Sequence, residues 1–422
     1  MSASGPTASA SCADALMVPA SPRFDRDDAV RLVALAWTAV ALFGWWSVLA
    51  VQWDDSAAMM QRDYYCFFRA GELYWAGEDP FSQTDHAFVN PPFTLPLVTL
   101  LSLAGLNGSY VVLAILGSLG WIAGCVLASQ LGKASERRRQ TLVFAMLTAP
   151  CAFLALHLGQ VSGIYFALLA GSLLLFSRGR DGAAGAVASL LLAKPNFVIA
   201  LLGVAVVLKR PRFLIALGMG ALTLIVLGLP FGLDAWVDCF HALNRLAHRH
   251  DVVHDDYWKQ FTVYAFLRAI SYGVDASGLL ARGLTGIALL GFGAALVMVL
   301  RAHRARWSEP AMAARLASII VLTTCALNTY LFFYDAIFLA LPAATLWLAQ
   351  DTWARPSLRH LAIACMALCW LLQVEVAFIH VNPPLAGVVS ALWLALELAD
   401  LWPPRASKPA IVEPSSDETV DV

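Results

Sequence analysis

The chain has 422 residues, 59% of them hydrophobic and 14% charged, with a formal net charge of −1 and a mean hydropathy of +0.69. Soluble domains carry roughly 45–50% apolar and about 25% charged residues, so this composition excludes an ordinary soluble enzyme, and the charge balance argues against a nucleic-acid partner. Repeated apolar runs of about 17–25 residues indicate an all-α polytopic membrane protein, since a barrel would show alternating segments of about ten.

Residues 1–29 are polar and Ser/Ala-rich and read as a disordered cytoplasmic tail, as do 403–422. The span 30–51 is too long for a signal-peptide core and lacks a clear cleavage site, so it is expected to stay as an anchor. Further spans are expected at 108–131, 140–157, 160–177, 181–193, 196–208, 213–230, 276–301, 311–328, 331–350, 360–381 and 385–402, twelve with the first. Most of the 28 Lys and Arg fall at 133–139, 178–180, 209–212, 301–306, 354–359 and the termini. Basic loops stay cytoplasmic, which places both termini inside and leaves two large outer loops, 52–107 and 231–275. The stretch 91–106 has three prolines and is short, so it is expected to lie on the membrane face. With a helix at about 62–76, that makes two juxtamembrane helices, 62–76 and 92–105, in the first outer loop. The pair 181–193 and 196–208 is short for a core of about 30 Å and reads as a hairpin broken around Lys194-Pro195-Asn196.

The first outer loop concentrates acids. Asp63 leads into the amphipathic run 63–72 and has two readings: a carboxylate that takes the proton of an incoming hydroxyl, its pKa raised by desolvation, or a helix N-cap. Asp54 and Asp55 look like solvated interface residues, and Glu78-Asp79 sit in a turn. Arg69 and Glu72, three apart, either pair or contact substrate; Asp85 completes the set.

Lys194 is costly between apolar segments, and binding of a phosphate competes there with snorkelling to headgroups. His157 and Gln160 lie between two spans on the same face, where Gln160 either hydrogen-bonds a sugar or caps a helix. In the second outer loop, His241, His248, His250, His254, Asp251, Asp255 and Asp256 show no metal-site spacing, so a solvated loop is the reading preferred to a metal centre. Lys259, Gln260, Thr262 and Tyr264 return toward the membrane and are better site candidates. Tyr330, Tyr334 and Asp335 open the tenth span, where Asp335 is either a site residue or the partner of a basic group; Glu375 poses the same question. The eight cysteines form no CxxC; most read as buried hydrophobes, with a Cys66–Cys239 pairing left open.

Several of these pieces resemble the polytopic GT-C glycosyltransferases, most closely glycosyltransferase family 87: Asp63 followed by FFRAGELYWAGEDPF, NPPF at 90–93, HLGQVSG at 157–163, AAGAVASLLLAKPN at 183–196 and YLFFYDAIFLALPA at 330–343. The resemblance implies an inverting transfer of a sugar, usually mannose, from a polyprenyl-phosphate donor to a lipid or glycan acceptor at the outer face of a bacterial plasma membrane. It implies Asp63 as general base, Lys194 as ligand of the donor phosphate, and no metal or cofactor; Lys259, by its place in the second outer loop, is the second candidate for that phosphate. The chain departs from many relatives at Asn328-Thr329-Tyr330, where a His-containing stretch is common, and at Asn90, where an aromatic often stands. A transporter or lipid flippase is the competing reading, since it too would use broken helices; a non-catalytic scaffold leaves Asp63 and Lys194 unexplained.

Overall fold

A computed structural model describes residues 26–53, 55–60, 62–83, 88–252, 260–271, 278–328, 331–379 and 384–402. The described chain is all-helical apart from one isolated bridge, Gln260 with Phe332. The terminal tails, Asp54, Asp85, His254, Asp255, Asp256, Lys259 and Tyr330 lie outside these residues, as do the side chains of His248, His250, Asp251 and Glu375.

A helix occupies each of the expected span positions. Among the described residues, four are long and apolar enough to cross a bilayer by themselves: Gly105–Ala128, Pro211–Phe231, Leu279–Ala302 and Pro310–Leu327. The expected span 140–157 is a broken pair, Glu136–Leu147 and Pro150–His157, bent by 48°. Pro150 explains the bend, because it has no N–H to donate and its ring clashes with the preceding turn, yet it suits a helix start. A second break falls where the sequence placed it. The helix Asp181–Ser189 tightens into a 3-10 turn, Leu190–Ala193, and stops at Lys194, whose φ of −138° and ψ of 78° are non-helical. Pro195 disfavours helical geometry in the residue before it, and Asn196–Val207 then restarts the helix.

Glycines set the closest helix crossing. An added Cβ on Gly163 would stand 2.0 Å from the Gly117 carbonyl oxygen, and one on Gly120 would stand 2.6 Å from the Ile164 nitrogen. Gly117, Gly120 and Gly124 share one face of Gly105–Ala128 and let Ser162–Ser177 approach backbone to backbone. That contact fixes the start of Ser162–Ser177, where site residues reside. Below it lies an aromatic floor: the Phe197 and Phe338 rings stack at 3.8 Å, with Phe166 edge-on to Phe338 at 5.9 Å.

In the 52–107 region the helices Tyr65–Trp75 and Leu95–Ser102, the latter entered through a 3-10 turn at Pro92–Thr94, cross tightly. Gly71 makes this possible, since a Cβ there would lie 2.6 Å from the Val98 carbonyl oxygen. Trp75 adds a hydrogen bond from its indole N–H to the Thr99 carbonyl, 3.0 Å. The amphipathic helix Leu233–Val252 packs against the same unit, with Arg245 donating to the Phe81 carbonyl at 2.6 Å. Cys66 and Cys239 are both free thiols. They do not pair because Cys239 faces the 89–90 backbone, with Sγ 3.5 Å from the Asn90 carbonyl oxygen.

Candidate active site

Asp63 sits one residue before Tyr64, the N-cap of Tyr65–Trp75, whose own side chain makes no capping hydrogen bond. Asp55 caps another helix, Ser56–Met60: its carboxylate accepts from the Ala57 and Ala58 N–H groups at 3.0 and 3.1 Å. Asp55 is therefore a helix cap and not merely a solvated interface acid. The Asp63 carboxylate turns to distant parts of the chain: Gln160 Nε2 donates to its Oδ2 at 2.8 Å, and the Tyr334 hydroxyl hydrogen-bonds it as well.

The position of Gln160 follows from a helix end. Pro150–His157 closes with the Gln160 N–H on the Ala155 carbonyl (2.8 Å) and the Gly159 N–H on that of Leu156 (3.1 Å). This is a Schellman cap, with Gly159 in the left-handed region at φ +66°. The same turn brings the Leu158 carbonyl to the Tyr64 N–H at 3.1 Å, which ties residue 158 to residue 64. Arg62 clamps the junction from below. It is buried, donates to the His157 carbonyl at 3.0 Å and stacks on the Tyr110 ring at 4.9 Å.

Lys194 forms an ion pair with Asp335, and Ser162 donates to the same Asp335 oxygen at 3.1 Å. The Lys194 ammonium also stands 5.2 Å above the Tyr334 ring, a cation–π contact. Lys194 thus neither snorkels nor stands alone: Asp335 neutralises it, and its side chain keeps 20% exposure against none for Asp335. Tyr334 connects the two halves, touching Asp63 through its hydroxyl and Lys194 through its ring face.

Gln260 is fully buried, bridged to Phe332, whose ring stacks on Tyr334 at 5.5 Å. Both ends of its amide, Asp335 Oδ2 and the Tyr64 hydroxyl are buried polar atoms without a hydrogen-bond partner. Unmet buried polar groups each cost about 1–3 kcal/mol and call for an explanation such as a polar guest. Tyr264, from the helix Val263–Ser271, is buried a few residues beyond this bridge. Cys66 is no nucleophile here: burial, reinforced by the Asp63 carboxylate, pushes its thiol pKa far up.

The structure thus brings together Asp63, Gln160, Tyr334, Lys194 and Asp335, and sets Gln260 beside them. Arg69 and Glu72 pair with each other at 3.1 Å, both partly exposed, and His157 contributes its backbone carbonyl to Arg62. Ser162 and Arg62 escaped the reading of the sequence. Ser162 lies within HLGQVSG and looks like a helix-start serine, while Arg62 is a lone cation in a polar loop whose burial no local pattern reveals. Among the described residues, no group of three His, Cys, Asp or Glu is placed to hold a metal ion.

Apolar helices of membrane-crossing length and a polar cluster of carboxylate, ammonium and amide groups define an integral membrane protein with an enzyme-like centre. The chain belongs to glycosyltransferase family 87, whose family model matches residues 88–329. It is accordingly a glycosyltransferase, with a sugar donor and an acceptor as its partners. No curated protein and no solved structure matches the chain. The matched segment contains Gln160, Ser162 and Lys194; Asp63, Tyr334 and Asp335 lie beyond its ends and join the site through the fold.

Proposed function

We propose that the protein transfers a sugar, mannose by the family resemblance, from a polyprenyl-phosphate donor to a lipid or glycan acceptor, with inversion, at the outer face of a bacterial plasma membrane. The observation that carries this reading is the connection of Asp63, through Tyr334, to the Lys194–Asp335 pair. Asp63 is the general base. It takes the acceptor hydroxyl proton as the new C1–O bond forms on one face of the sugar and the C1–O bond to phosphate breaks on the other. The departing phosphate gains negative charge, and Lys194 stabilises it; such placed charges supply a large share of catalysis. Asp335 and Ser162 aim the ammonium, and Gln160 and Tyr334 orient the carboxylate. The unpartnered atoms of Gln260 and Asp335 are suited to sugar hydroxyls. In this reading the twelve helical positions span the membrane, the 52–107 and 231–275 regions lie outside, and Lys259 and Tyr330 belong to the substrate side.

The test is transfer from polyprenyl-phosphate mannose by purified protein in detergent or nanodiscs. Asp63→Asn keeps the shape and the Gln160 contact but is no base, so transfer is expected to fall by about 10²–10⁴, the usual worth of general-base catalysis. Lys194→Ala is expected to impair use of the donor. Full activity of Asp63→Asn removes the base assignment, and movement of intact lipid-linked sugar without transfer favours the flippase reading.

A further inference from the structure

At the other end of the helix Asn196–Val207 from Lys194, a cavity of about 360 Å³ is lined by Asp181, Leu208, Lys209, Arg210, Pro211, Arg212 and Arg304. A twelve-residue helix is about 18 Å long, so this cavity is remote from the Asp63 cluster. Four cations face one carboxylate. Arg210 is accounted for structurally: it reaches Asp181 at 3.4 Å and lies over the Phe176 ring at 5.2 Å. Lys209, Arg212 and Arg304 surround the same space with side chains that are solvent-exposed in the isolated protein.

Lys209 has the one positive φ outside glycine among the described residues, +55°. It occupies the C′ position of a Schellman cap, with its N–H on the Val206 carbonyl (3.1 Å) and the Arg210 N–H on that of Ala205 (2.9 Å). At the equivalent turns after Tyr65–Trp75, Pro150–His157 and Ser162–Ser177 the chain uses Gly77, Gly159 and Gly179, with φ of +74°, +66° and +70°. Left-handed geometry is unfavourable for a residue with a Cβ. At this one cap the fold keeps a lysine and directs it into a basic cavity, and backbone strain of that kind points to function. Pro211 and Arg212, the first residues of Pro211–Gly228, line the same space and turn the positive end of that helix toward it.

We propose that this cavity binds a phosphate-bearing anion, as a site separate from the sugar-transfer centre. The flanking helices are apolar and exposed, with Val206 at 55%, Ile215 at 62% and Met298 at 47%. The cavity therefore sits at the rim of the surface that a bilayer would cover, which favours the headgroup of an anionic lipid; free phosphate shares the chemistry. The inference does not depend on the identity of the sugar, donor or base.

The informative variant is Lys209→Gly. It removes a cation while giving the cap its preferred residue, so loss of binding cannot be put down to loss of fold. Protein reconstituted with phosphatidylcholine alone or with added phosphatidylglycerol is examined by native mass spectrometry for retained lipid and by thermal unfolding. Wild type is expected to retain phosphatidylglycerol over phosphatidylcholine and to unfold at higher temperature with it. Affinity should weaken about fivefold for each cation removed, in Lys209→Gly and further in Arg212→Gln/Arg304→Gln. The double variant Lys133→Gln/Arg301→Gln, which removes exposed cations outside the cavity, should change neither. A parallel series with inorganic phosphate in detergent separates the sources: stabilisation there, lost in Lys209→Gly, assigns a soluble anion and keeps the site. The proposal is overturned if neither anion distinguishes wild type from Lys209→Gly, or if the control variant loses as much.

Discussion

Tyr334 is the residue on which the site's two halves depend, and its two contacts can be separated. The hydroxyl touches Asp63 and the ring face carries Lys194. Tyr334→Phe removes the first contact and keeps the second. A hydrogen bond to a charged group is worth about 1.5–3 kcal/mol, so kcat is expected to fall roughly 10- to 100-fold while the KM for the donor stays near its wild-type value. Tyr334→Ala removes both contacts and should raise that KM as well. Steady-state kinetics with varied donor separates the cases; equal KM changes in the two variants would deny the ring its role at Lys194. The chemistry of this residue was visible in the sequence only as position. Tyr334 and Asp335 open an apolar helix, but nothing local says that one meets residue 63 and the other residue 194.

At the scale of elements, the short turn at Gly159 decides where Gln160 points. A Cβ on Gly159 would stand 2.8 Å from the Tyr64 Cβ and 3.1 Å from the Tyr110 ring, and it would also have to adopt φ +66°. Gly159→Ala is therefore expected to cost about 1–2 kcal/mol in backbone strain and to swing Gln160 off Asp63. A lower unfolding temperature together with a kcat loss resembling that of Gln160→Ala would support this; a stability loss with unaltered kcat would detach the turn from the chemistry. The helix positions themselves were legible, because apolar runs and prolines act locally: Pro195 breaks a helix where the sequence placed the break, while the one at Pro150 fell inside a span expected to run straight through 140–157. The pairing of those helices was not. Crossings such as Gly163 on Gly117 depend on which small residues meet across the fold, and a single sequence records only that they are small. The Cys66–Cys239 question was open for the same reason, since direction in space and not spacing keeps those thiols apart.

At the scale of the whole molecule, orientation is the first matter to test. Glu78 is exposed beside the Gly77 cap, and the described native cysteines are buried or half-buried. Glu78→Cys is expected to react with an impermeant thiol reagent added outside intact cells, while Lys133→Cys, in a basic connection, should react only after permeabilisation. The opposite pattern would invert the proposed topology.

The two ends of the molecule also differ in how their polar groups are satisfied. Near the start of Pro310–Leu327, Arg315 is 1% exposed and donates to Glu397 at 2.7 Å and to Asp400 at 2.6 Å. Ser318 adds a bond to Glu397 at 3.2 Å, Trp353 covers the guanidinium at 4.2 Å, and Asp400 accepts the Arg355 N–H at 2.8 Å. This network ties Pro310–Leu327, Pro384–Leu401 and the 349–355 connection together with its strong donors and acceptors matched. Beyond the other end of Pro310–Leu327, the chain runs into Tyr334 and Asp335, where Asp335 Oδ2 and the Gln260 amide are unmet. Matched groups hold a fold, whereas unmatched ones leave bonding capacity for a substrate. Removing the cation from the matched end should therefore damage stability and spare chemistry. Arg315→Met leaves two buried carboxylates without their partner, which costs about 3–5 kcal/mol by the usual measure of a broken buried pair. Adding Glu397→Gln removes one of the stranded charges and should recover part of that loss. Thermal unfolding in one fixed detergent, with transfer measured per folded molecule, tests both halves of the argument. A cost below ~1 kcal/mol would mean that water reaches the network and screens it, and a fall in kcat at full folding would show that the two ends are coupled.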